Sequence, residues 1–268
     1  MIARSTVRHA SAIYGAAEPP IDDVAELYHE ASKIGGLSGV ADLPGVARLA
    51  ASKDLLASTT RAVRRHLHLP TTPLGAPAPL TMALGDALAA RRSTREFASE
   101  PLSRPDLAAL VRAASGVTGE LNGQLLRAAP SGGALYPLEL TIAVRRVDGL
   151  APGLYHVDPL DEALECVREG TIPIAATTPF AELAGAAAAV FIVSAMFWRS
   201  RFKYGLRGYR FVLLEAGHLA QNVLLAAAAL GLAAVPLGGF YDRRVDKLLG
   251  VNGVDESALY LLCVGRPK

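Results

Sequence analysis

The chain has 268 residues, of which 51% are hydrophobic and 19% charged, with a mean hydropathy of +0.29 and a formal net charge of +2 at pH 7. This length and apolar content are enough for one large domain with a well-developed core, with or without a smaller extension. The scattered basic residues argue against a nucleic-acid partner. The two cysteines, Cys166 and Cys263, lack the spacing of metal ligands and are expected to be buried thiols.

The N-terminal segment MIARSTVRHA lacks the apolar core of a signal peptide, so we expect a cytoplasmic protein. The apolar run over residues 186–198 is shorter than the roughly 20 residues that a membrane span needs. A longer apolar stretch in the second half carries Glu, His, Gln and Asn within it. Neither segment is therefore expected to cross a membrane.

Residues 1–80 predict a helical extension with a proline-rich linker. Residues 21–33 begin with acidic side chains and end with a lysine, the charge order that a short helix favours. Residues 46–68 are a second helical candidate. Residues 70–80, PTTPLGAPAPL, predict an extended linker or a strap over a neighbouring surface. The main domain is therefore expected at residues 81–268.

The main domain opens with two predicted helices and continues with strands. Residues 84–91 predict a helix, and Ser103 begins another with a capping pattern, SRPD. Residues 116–130 predict a polar loop. Strands are then predicted at LTIAVRRV, GLYHVD and ALECVRE, and the continuous apolar run from Ala188 to Met196 predicts a buried strand.

One long helix is predicted from about Gly208, because apolar residues recur there at steps of three and four without a proline. Gly231 stands where a C-terminal glycine cap is expected. Predicted strands at LAAVPLGGF and ALYLLCVG follow, with a short helix at Asp242–Leu249 between them. Helices, strands, a long helix and further strands in this order predict an α+β fold with a helix-flanked sheet.

Two kinds of segment could carry chemistry. Arg91, Arg92, Ser93 and Arg95 bring three guanidinium groups and a hydroxyl together, a set that suits phosphate but also suits a solvated helix end. Two glycine pairs, in PSGGALYP (130–137) and PLGGF (236–240), would let the backbone approach a flat ligand closely, or would form simple turns. Neither pair belongs to a nucleotide-binding fingerprint.

Five motifs occur in one order: RRSTREF, PSGGALYPLE, KYGLRGYRFVLLEAGHLAQN, GLAAVPLGGFYD and LYLLCVGRP. Together they resemble the FMN-dependent nitroreductase superfamily, and within it the SagB-type azoline dehydrogenases. The similarity covers about residues 82–267, and YHEASK at 28–33 resembles the segment that precedes the core in that branch.

The resemblance implies a nitroreductase-like α+β fold, with a central mixed or antiparallel sheet flanked by helices, in an intertwined homodimer with FMN at the interface. It implies that the arginine cluster holds the phosphate, that residues 130–133 lie on the flavin of the other subunit, and that residues 237–239 contact the ring through backbone. The FMN-binding residues that it implies are Arg91, Arg92, Ser93, Arg95, Pro130, Ser131, Gly132, Gly133, Leu237, Gly238, Gly239 and Arg266.

Lys203 and Tyr204 match the Lys-Tyr pair of azoline dehydrogenases, which implies that they are catalytic. Aromatising an azoline removes a Cα proton and a Cβ hydride, so a base is needed beside the flavin. A lysine acts as that base when desolvation or neighbouring cations lower its pKa from about 10.4. Without the resemblance, the same pair reads as a strand-edge lysine and a core tyrosine.

The resemblance thus implies an FMN-dependent oxidase that converts thiazolines or oxazolines to azoles on a peptide or on a carrier-protein-bound intermediate. Two alternatives stay open from the sequence. One is a nitroreductase-type flavin reductase that uses NAD(P)H. The other is a non-catalytic scaffold subunit, in which residues 1–80 hold a partner of a biosynthetic complex.

Overall fold

A computed structural model describes residues 23–34, 43–59, 63–121 and 123–268 of the chain. The described helices are α1 (Val24–Ala31), α2 (Pro44–Ala50), α3 (Lys53–Thr59), α4 (Leu84–Ala90), α5 (Arg104–Ser115), α6 (Ala181–Ala186), α7 (Trp198–Tyr204), α8 (Leu206–Ala229) and α9 (Asp242–Leu249). The strands are β1 (Thr71–Pro73), β2 (Val117–Leu121), β3 (Gln124–Arg127), β4 (Leu138–Val144), β5 (Gly153–Asp158), β6 (Ala163–Glu169), β7 (Ala189–Met196), β8 (Ala233–Leu237) and β9 (Glu256–Gly265).

A seven-stranded sheet in the order β1-β6-β5-β4-β7-β9-β8 forms the centre of the fold. Every neighbouring pair in this sheet is antiparallel. The central strands β4 and β7 are almost entirely buried, and for β7 the continuous apolar sequence predicts this. Helices cover the sheet, which confirms the predicted nitroreductase-like α+β fold.

One face of the sheet packs against α5 and α8. Side chains such as Leu107, Val212 and Val223 from the helices meet Ile142 and Phe191 from the strands in the larger core. Each of these five side chains is fully removed from solvent. Burying a large apolar side chain stabilises the fold by roughly 1.5–3 kcal/mol, so this face anchors both helices.

The opposite face is smaller and partly polar. Helices α6 and α9 contribute Ala184, Val245 and Leu248 to a second core, which includes Ile192 and Leu261 of the sheet. Toward the β1 edge the same face carries charged side chains, and residues 63–70, which form neither helix nor strand, lie near them, since His66 N–H donates to the Glu165 carboxylate.

Local sequence signals explain the start of α5 and the end of α8. The Ser103 hydroxyl accepts from Asp106 N–H at the start of α5, as the capping pattern predicts. Helix α8 ends before Gly231, whose φ of +64° is the left-handed conformation of a glycine cap. At its other end α8 begins at Leu206, two residues before the predicted start at Gly208.

Two predicted elements were wrong. Residues 46–68 are not one helix: α2 and α3 are separate, and residues 63–70 are irregular with a turn at 67–68. Residues 60–62 lie outside the described part. Residues 116–130 are not a plain loop, because β2 and β3 pair as a hairpin. In both cases short elements without a sustained hydrophobic period gave no clear signal.

The N-terminal helices pack on the corner between α7 and α8. A Cβ added to Gly45 in α2 would lie 2.1 Å from the carbonyl oxygen of Phe202 and 2.6 Å from the Cα of Lys203. The backbones of α2 and α7 therefore approach so closely that only glycine fits. From α1, Tyr28 donates to the Leu206 carbonyl, and Arg210 donates to Ser32.

Helix α8 is long and apolar enough to cross a membrane by length and composition alone. Half of its most apolar window is buried inside the protein, however, against the sheet and α5. Its apolar composition is accounted for by the core.

Gly45→Ala is expected to destabilise the protein by about 1–3 kcal/mol and to loosen α2 from α7, because the added methyl overlaps backbone. Urea unfolding would measure the first effect, and hydrogen exchange of the α2 amides the second. Gly217→Ala on the exposed side of α8 is the matched control. Its added Cβ meets nothing within 4 Å, so it should raise stability by up to about 1 kcal/mol. Equal effects of the two substitutions would contradict the close packing.

Candidate active site

The two candidate catalytic residues lie at the corner between α7 and α8. Helix α7 ends at Tyr204, and Gly205, with φ at +56°, separates it from α8. The Tyr204 side chain is buried, whereas Lys203 is half-buried. The side-chain nitrogen of Lys203 lies 5.2 Å from the centre of the Tyr204 ring. Both side chains therefore occupy one small region.

The turn at Gly132–Ala134 meets this pair. Gly133 has a φ of +69°, and a Cβ added there would lie 2.4 Å from Tyr204 Oη and 2.6 Å from Lys203 Nζ. The two polar heads thus converge on one backbone position that tolerates no side chain. Gly132 lies against Phe211, whose ring packs edge-on to Tyr204 with centroids 5.0 Å apart. The chain thereby joins the PSGG motif to the Lys-Tyr pair.

The turn is held in an unusual backbone conformation. Ala134 and Tyr136 both have positive φ, +51° and +44°, which is uncommon for residues other than glycine. Tyr136 N–H donates to Ser131 Oγ, and the Tyr136 hydroxyl accepts from Arg127 N–H. The Arg127 guanidinium lies 4.6 Å from the centre of the Tyr136 ring. Strain fixed by this many contacts is typical of functional loops.

A buried carboxyl lies behind the turn. Glu215 of α8 is 5% exposed, and burial raises its pKa to about 7, although the hydrogen bond from Ser131 and the charge of Arg127 oppose the shift. A cavity of about 20 Å³ adjoins Glu215, Arg127 and Ser115, with room for one water molecule. Among the described residues Ser115 Oγ has no hydrogen-bond partner, which makes it a candidate ligand for that water.

The remaining predicted cofactor residues lie along the β8 edge of the sheet. Thr94 N–H donates to the Ala234 carbonyl, so the arginine cluster runs beside β8. Arg92 donates to the carbonyls of Ala89 and Arg91. After β8, Gly238 and Gly239 are exposed, and Gly239 accepts from the Thr178 hydroxyl through its carbonyl.

Arg266, the last predicted cofactor residue, donates to the Asp106 carboxylate at 2.7 Å. Its backbone carbonyl accepts from Ala98 N–H, so this arginine also lies near the segment that follows the cluster.

Within one chain the predicted cofactor residues thus fall into two groups. The first, residues 130–133, precedes β4 and contacts the Lys-Tyr pair. The second, residues 91–95 with 237–239, lies beside β8. Strands β7 and β9 stand between β4 and β8, a separation of about 14 Å at the usual strand spacing.

The structure also contains a buried ionic cluster that was not predicted from the sequence. His156 Nε2 lies 2.9 Å from Glu139, and its Nδ1 lies 2.7 Å from Glu165. Burial alone would lower the pKa of His156, but the two carboxylates outweigh it and raise that pKa. Burial alone would raise the pKa of Glu139, yet His156 and Arg199 hold it below the usual range. The clearest available signal was Glu139, a charged residue within the largely apolar strand β4.

Glu215→Gln is expected to change the pH dependence of stability. Because the carboxyl takes up a proton on folding, wild-type stability falls as pH rises from about 4.5 to about 7. The full shift corresponds to about 3 kcal/mol, which Glu215→Gln removes. Urea unfolding at pH 5 and pH 8 should therefore show that the free energy of unfolding of the variant, relative to that of the wild type, is higher at pH 8 than at pH 5. Glu182→Gln, on the surface of α6, is the control, and parallel curves for all three proteins would refute the assignment.

Three curated proteins are similar to this chain. It is 38% identical to the candidate nitroreductase MJ1384 of Methanocaldococcus jannaschii over 68% of its length and 90% of that protein. It is 31% identical to the microcin B17-processing protein McbC of Escherichia coli, over 48% of the chain and half of McbC. Identity to the trifolitoxin-processing protein TfxB of Rhizobium leguminosarum is 29%, over 56% of the chain and 41% of TfxB.

The solved structures that share the fold include one from Ralstonia eutropha and one from E. coli. A candidate nitroreductase from Ralstonia eutropha matches 74% of this chain and 90% of its own, with a TM-score of 0.63 and 28% identity. A chain of the E. coli microcin synthetase McbBCD complex, solved with truncated pro-MccB17, matches 90% of this chain and 86% of its own. Its TM-score is 0.60 at 23% identity, so it supports the fold alone.

The profile of the nitroreductase family matches residues 88–266, about two thirds of the chain. This span includes the arginine cluster, both glycine pairs, the Lys-Tyr pair and Arg266. The chain therefore belongs to the nitroreductase family of oxidoreductases.

Proposed function

We propose that this protein is an FMN-dependent oxidase that converts azoline rings to azoles on a peptide or a carrier-protein-bound intermediate. The observation that carries the proposal is the convergence of Lys203 Nζ and Tyr204 Oη on Gly133. A base and a hydroxyl beside a bare, exposed backbone turn suit a reaction that takes a proton from a ring lying flat on a flavin.

The two side chains would divide the proton chemistry. Aromatisation of an azoline breaks one C–H bond as a proton and the neighbouring C–H bond as a hydride. Lys203 Nζ would take the proton from Cα, because it is the basic atom nearest the turn. Tyr204 Oη would hold the ring by hydrogen bonding, since its buried ring is fixed against Phe211. Bound FMN would supply the hydride acceptor.

The residues present fit FMN. Gly132 and Gly133 are exposed, so a flat ring can lie against their backbone. Gly238 is exposed too, and a Cβ there would meet nothing within 4 Å. The exposed guanidinium groups of Arg92 and Arg95 suit a phosphate.

A homodimer would complete each flavin site. Within one chain, the strands beside the two groups of predicted cofactor residues, β4 and β8, lie about 14 Å apart at the usual strand spacing. In a two-fold symmetric dimer the turn of one subunit would reach the arginine cluster of its partner, and the reverse. Lys203 and Tyr204 contact the turn of their own chain, so they would act on the FMN that the partner's arginines hold.

The named activities of two relatives support a peptide substrate. McbC processes microcin B17 and TfxB processes trifolitoxin, by their names. The chain spans half or less of each, so the substrate and its partners remain part of the proposal. We further propose that residues 1–80 hold the substrate or a partner subunit, because α1 and α2 pack beside the Lys-Tyr pair.

The rival function is reduction of small electrophiles with NAD(P)H. The similarity to MJ1384, at 38% identity over 90% of that protein, favours it. The two functions differ in the donor that reduces the flavin, which makes them separable by one spectrum.

Anaerobic addition of a peptidyl thiazoline should bleach the flavin absorbance of the wild-type protein, and air should restore it. Lys203→Met should lower the bleaching rate by about 100-fold or more, since it removes the base. Lys247→Met, in the exposed last turn of α9, is the matched control and should bleach normally. Stopped-flow absorbance would measure all three.

Bleaching by NADPH but not by the thiazoline would move the assignment to the rival function. Failure to bind FMN in any form would favour the scaffold alternative. Full thiazoline-driven bleaching in Lys203→Met with FMN bound would show that another group is the base.

Mixed dimers test the shared site. Lys203→Met and Arg91→Ala/Arg95→Ala should each be inactive alone, whereas a mixed dimer should recover about half of the activity per dimer. One of its two sites would combine the intact arginines of one subunit with the intact lysine of the other. Turnover of tagged, co-purified mixed dimers is the measurement. No recovery in verified mixed dimers would mean that lysine and arginines serve the same site from one chain.

A further inference from the structure

We infer that a buried ladder of charges, Arg199–Glu139–His156–Glu165, positions helix α7 and with it the Lys-Tyr pair. The effect of the ladder on catalysis rests on the proposed function. The contacts that form the ladder do not depend on that function. All four side chains are absent from the proton chemistry proposed above. Arg199 is therefore assigned as a positioning residue.

The ladder crosses three strands on one face of the sheet. Glu139 is on β4, His156 on β5 and Glu165 on β6, and His156 stands directly opposite Glu165 in the strand register. His156 Nε2 contacts Glu139 at 2.9 Å, and Nδ1 contacts Glu165 at 2.7 Å. Arg199 then donates to the second oxygen of Glu139. Each of the three strand residues is no more than 4% exposed.

The charges of the ladder balance only when it is complete. A doubly protonated imidazole between two carboxylates leaves one negative charge, which the guanidinium of Arg199 offsets. Removing one member would leave a buried charge without a partner, which is strongly unfavourable. The ladder therefore holds Arg199 at one place relative to the sheet.

Arg199 transmits that position to the active site. It lies in α7 four residues before Lys203, so the two side chains leave the same side of the helix one turn apart. Arg199 also lies 3.5 Å from the Tyr136 carbonyl, in the strained turn that ends the PSGG segment. One guanidinium thus ties α7 and the turn to the same carboxylate.

The far end of the ladder reaches the N-terminal extension. The second oxygen of Glu165 accepts from His66 N–H at 2.8 Å, and the His66 ring packs edge-on to His156. Residues 63–66 and α7 are thereby attached to the two ends of one charge network.

A divalent metal is the competing occupant of this cluster. His66, His156 and Glu165 offer ligand atoms within 4.8 Å of one another. However, both nitrogens of His156 already contact carboxylates, and the Arg64 guanidinium lines the cavity beside the two histidines. A hydrogen-bonded ladder needs no added ion, so it is the better account of the geometry.

Arg199→Lys tests the ladder without removing its charge. Both contacts are made by one guanidinium nitrogen, Nη1, and a lysine side chain is one bond shorter, so the ammonium is expected to keep the bond to Glu139 and to lose the contact with the Tyr136 carbonyl. Amide hydrogen exchange in residues 198–206 and 130–137 is expected to quicken by about tenfold, with β7 and β9 unchanged. With a peptidyl thiazoline, kcat should fall by about tenfold and KM by less than threefold in either direction.

Arg112→Lys is the matched control, because Arg112 also pairs with a carboxylate, that of Glu162, but through two guanidinium nitrogens and at a half-exposed site. This substitution should leave unchanged both the amide hydrogen exchange of residues 198–206 and 130–137 and the kcat and KM with a peptidyl thiazoline. Glu139→Gln should reproduce the faster exchange of α7, and the double variant with Arg199→Lys should add little, as members of one network are non-additive. Unchanged exchange in folded Arg199→Lys, or full additivity, would overturn the inference.

Hydrogen exchange needs no substrate, so the ladder and the proposed function fail separately. Faster α7 exchange in a protein that never oxidises azolines would refute the function and leave the ladder standing. Titration of the wild-type protein with Zn²⁺ tests the alternative that the cluster binds a divalent metal. Uptake of one equivalent that His66→Ala abolishes would overturn the ladder, and no uptake would support it.

Discussion

The absence of a side chain at Gly133 is the constraint on which the candidate site depends. A methyl group there would overlap both Lys203 Nζ and Tyr204 Oη, and the positive φ already disfavours any other residue. Because the two polar heads meet bare backbone, they are held near an exposed surface without being covered by the chain itself. A flat ligand on that turn would therefore contact the turn and the pair together.

The backbone of this turn is strained, and neighbouring side chains hold it in that conformation. Ala134 and Tyr136 occupy uncommon backbone conformations, which cost of order 1–3 kcal/mol each and persist only when neighbours enforce them. The neighbours here are Ser131 and two arginines, Arg127 and Arg199, which contact Tyr136 at its ring, hydroxyl and carbonyl sides. Buried ionic groups add little net stability, so their presence beside a strained turn is better explained by orientation.

The sequence was most informative where one physical signal dominated. The run Ala188–Met196 and the helix ending at Gly231 were predicted because burial and periodicity act over many residues. The β2–β3 hairpin was missed because its strands are short, with β2 exposed and β3 only half-buried. The motifs singled out Lys203, Tyr204 and Gly133, but only the fold revealed that they touch. Glu139, His156 and Glu165 are far apart in sequence, and their contact depends on strand register, which no local pattern specifies.

The boundary of the family match bears on where substrate selection resides. The match begins at residue 88, so it includes the candidate flavin and proton chemistry but excludes α1, α2 and α3. Helices α1 and α2 are nevertheless attached to the corner that bears the Lys-Tyr pair, through Tyr28, Gly45 and Arg210. The candidate site thus has a wall built from a segment outside the span that matches the family. If the proposed function holds, that wall is where a peptide would be distinguished from a small electrophile, because the span that matches the family must serve both.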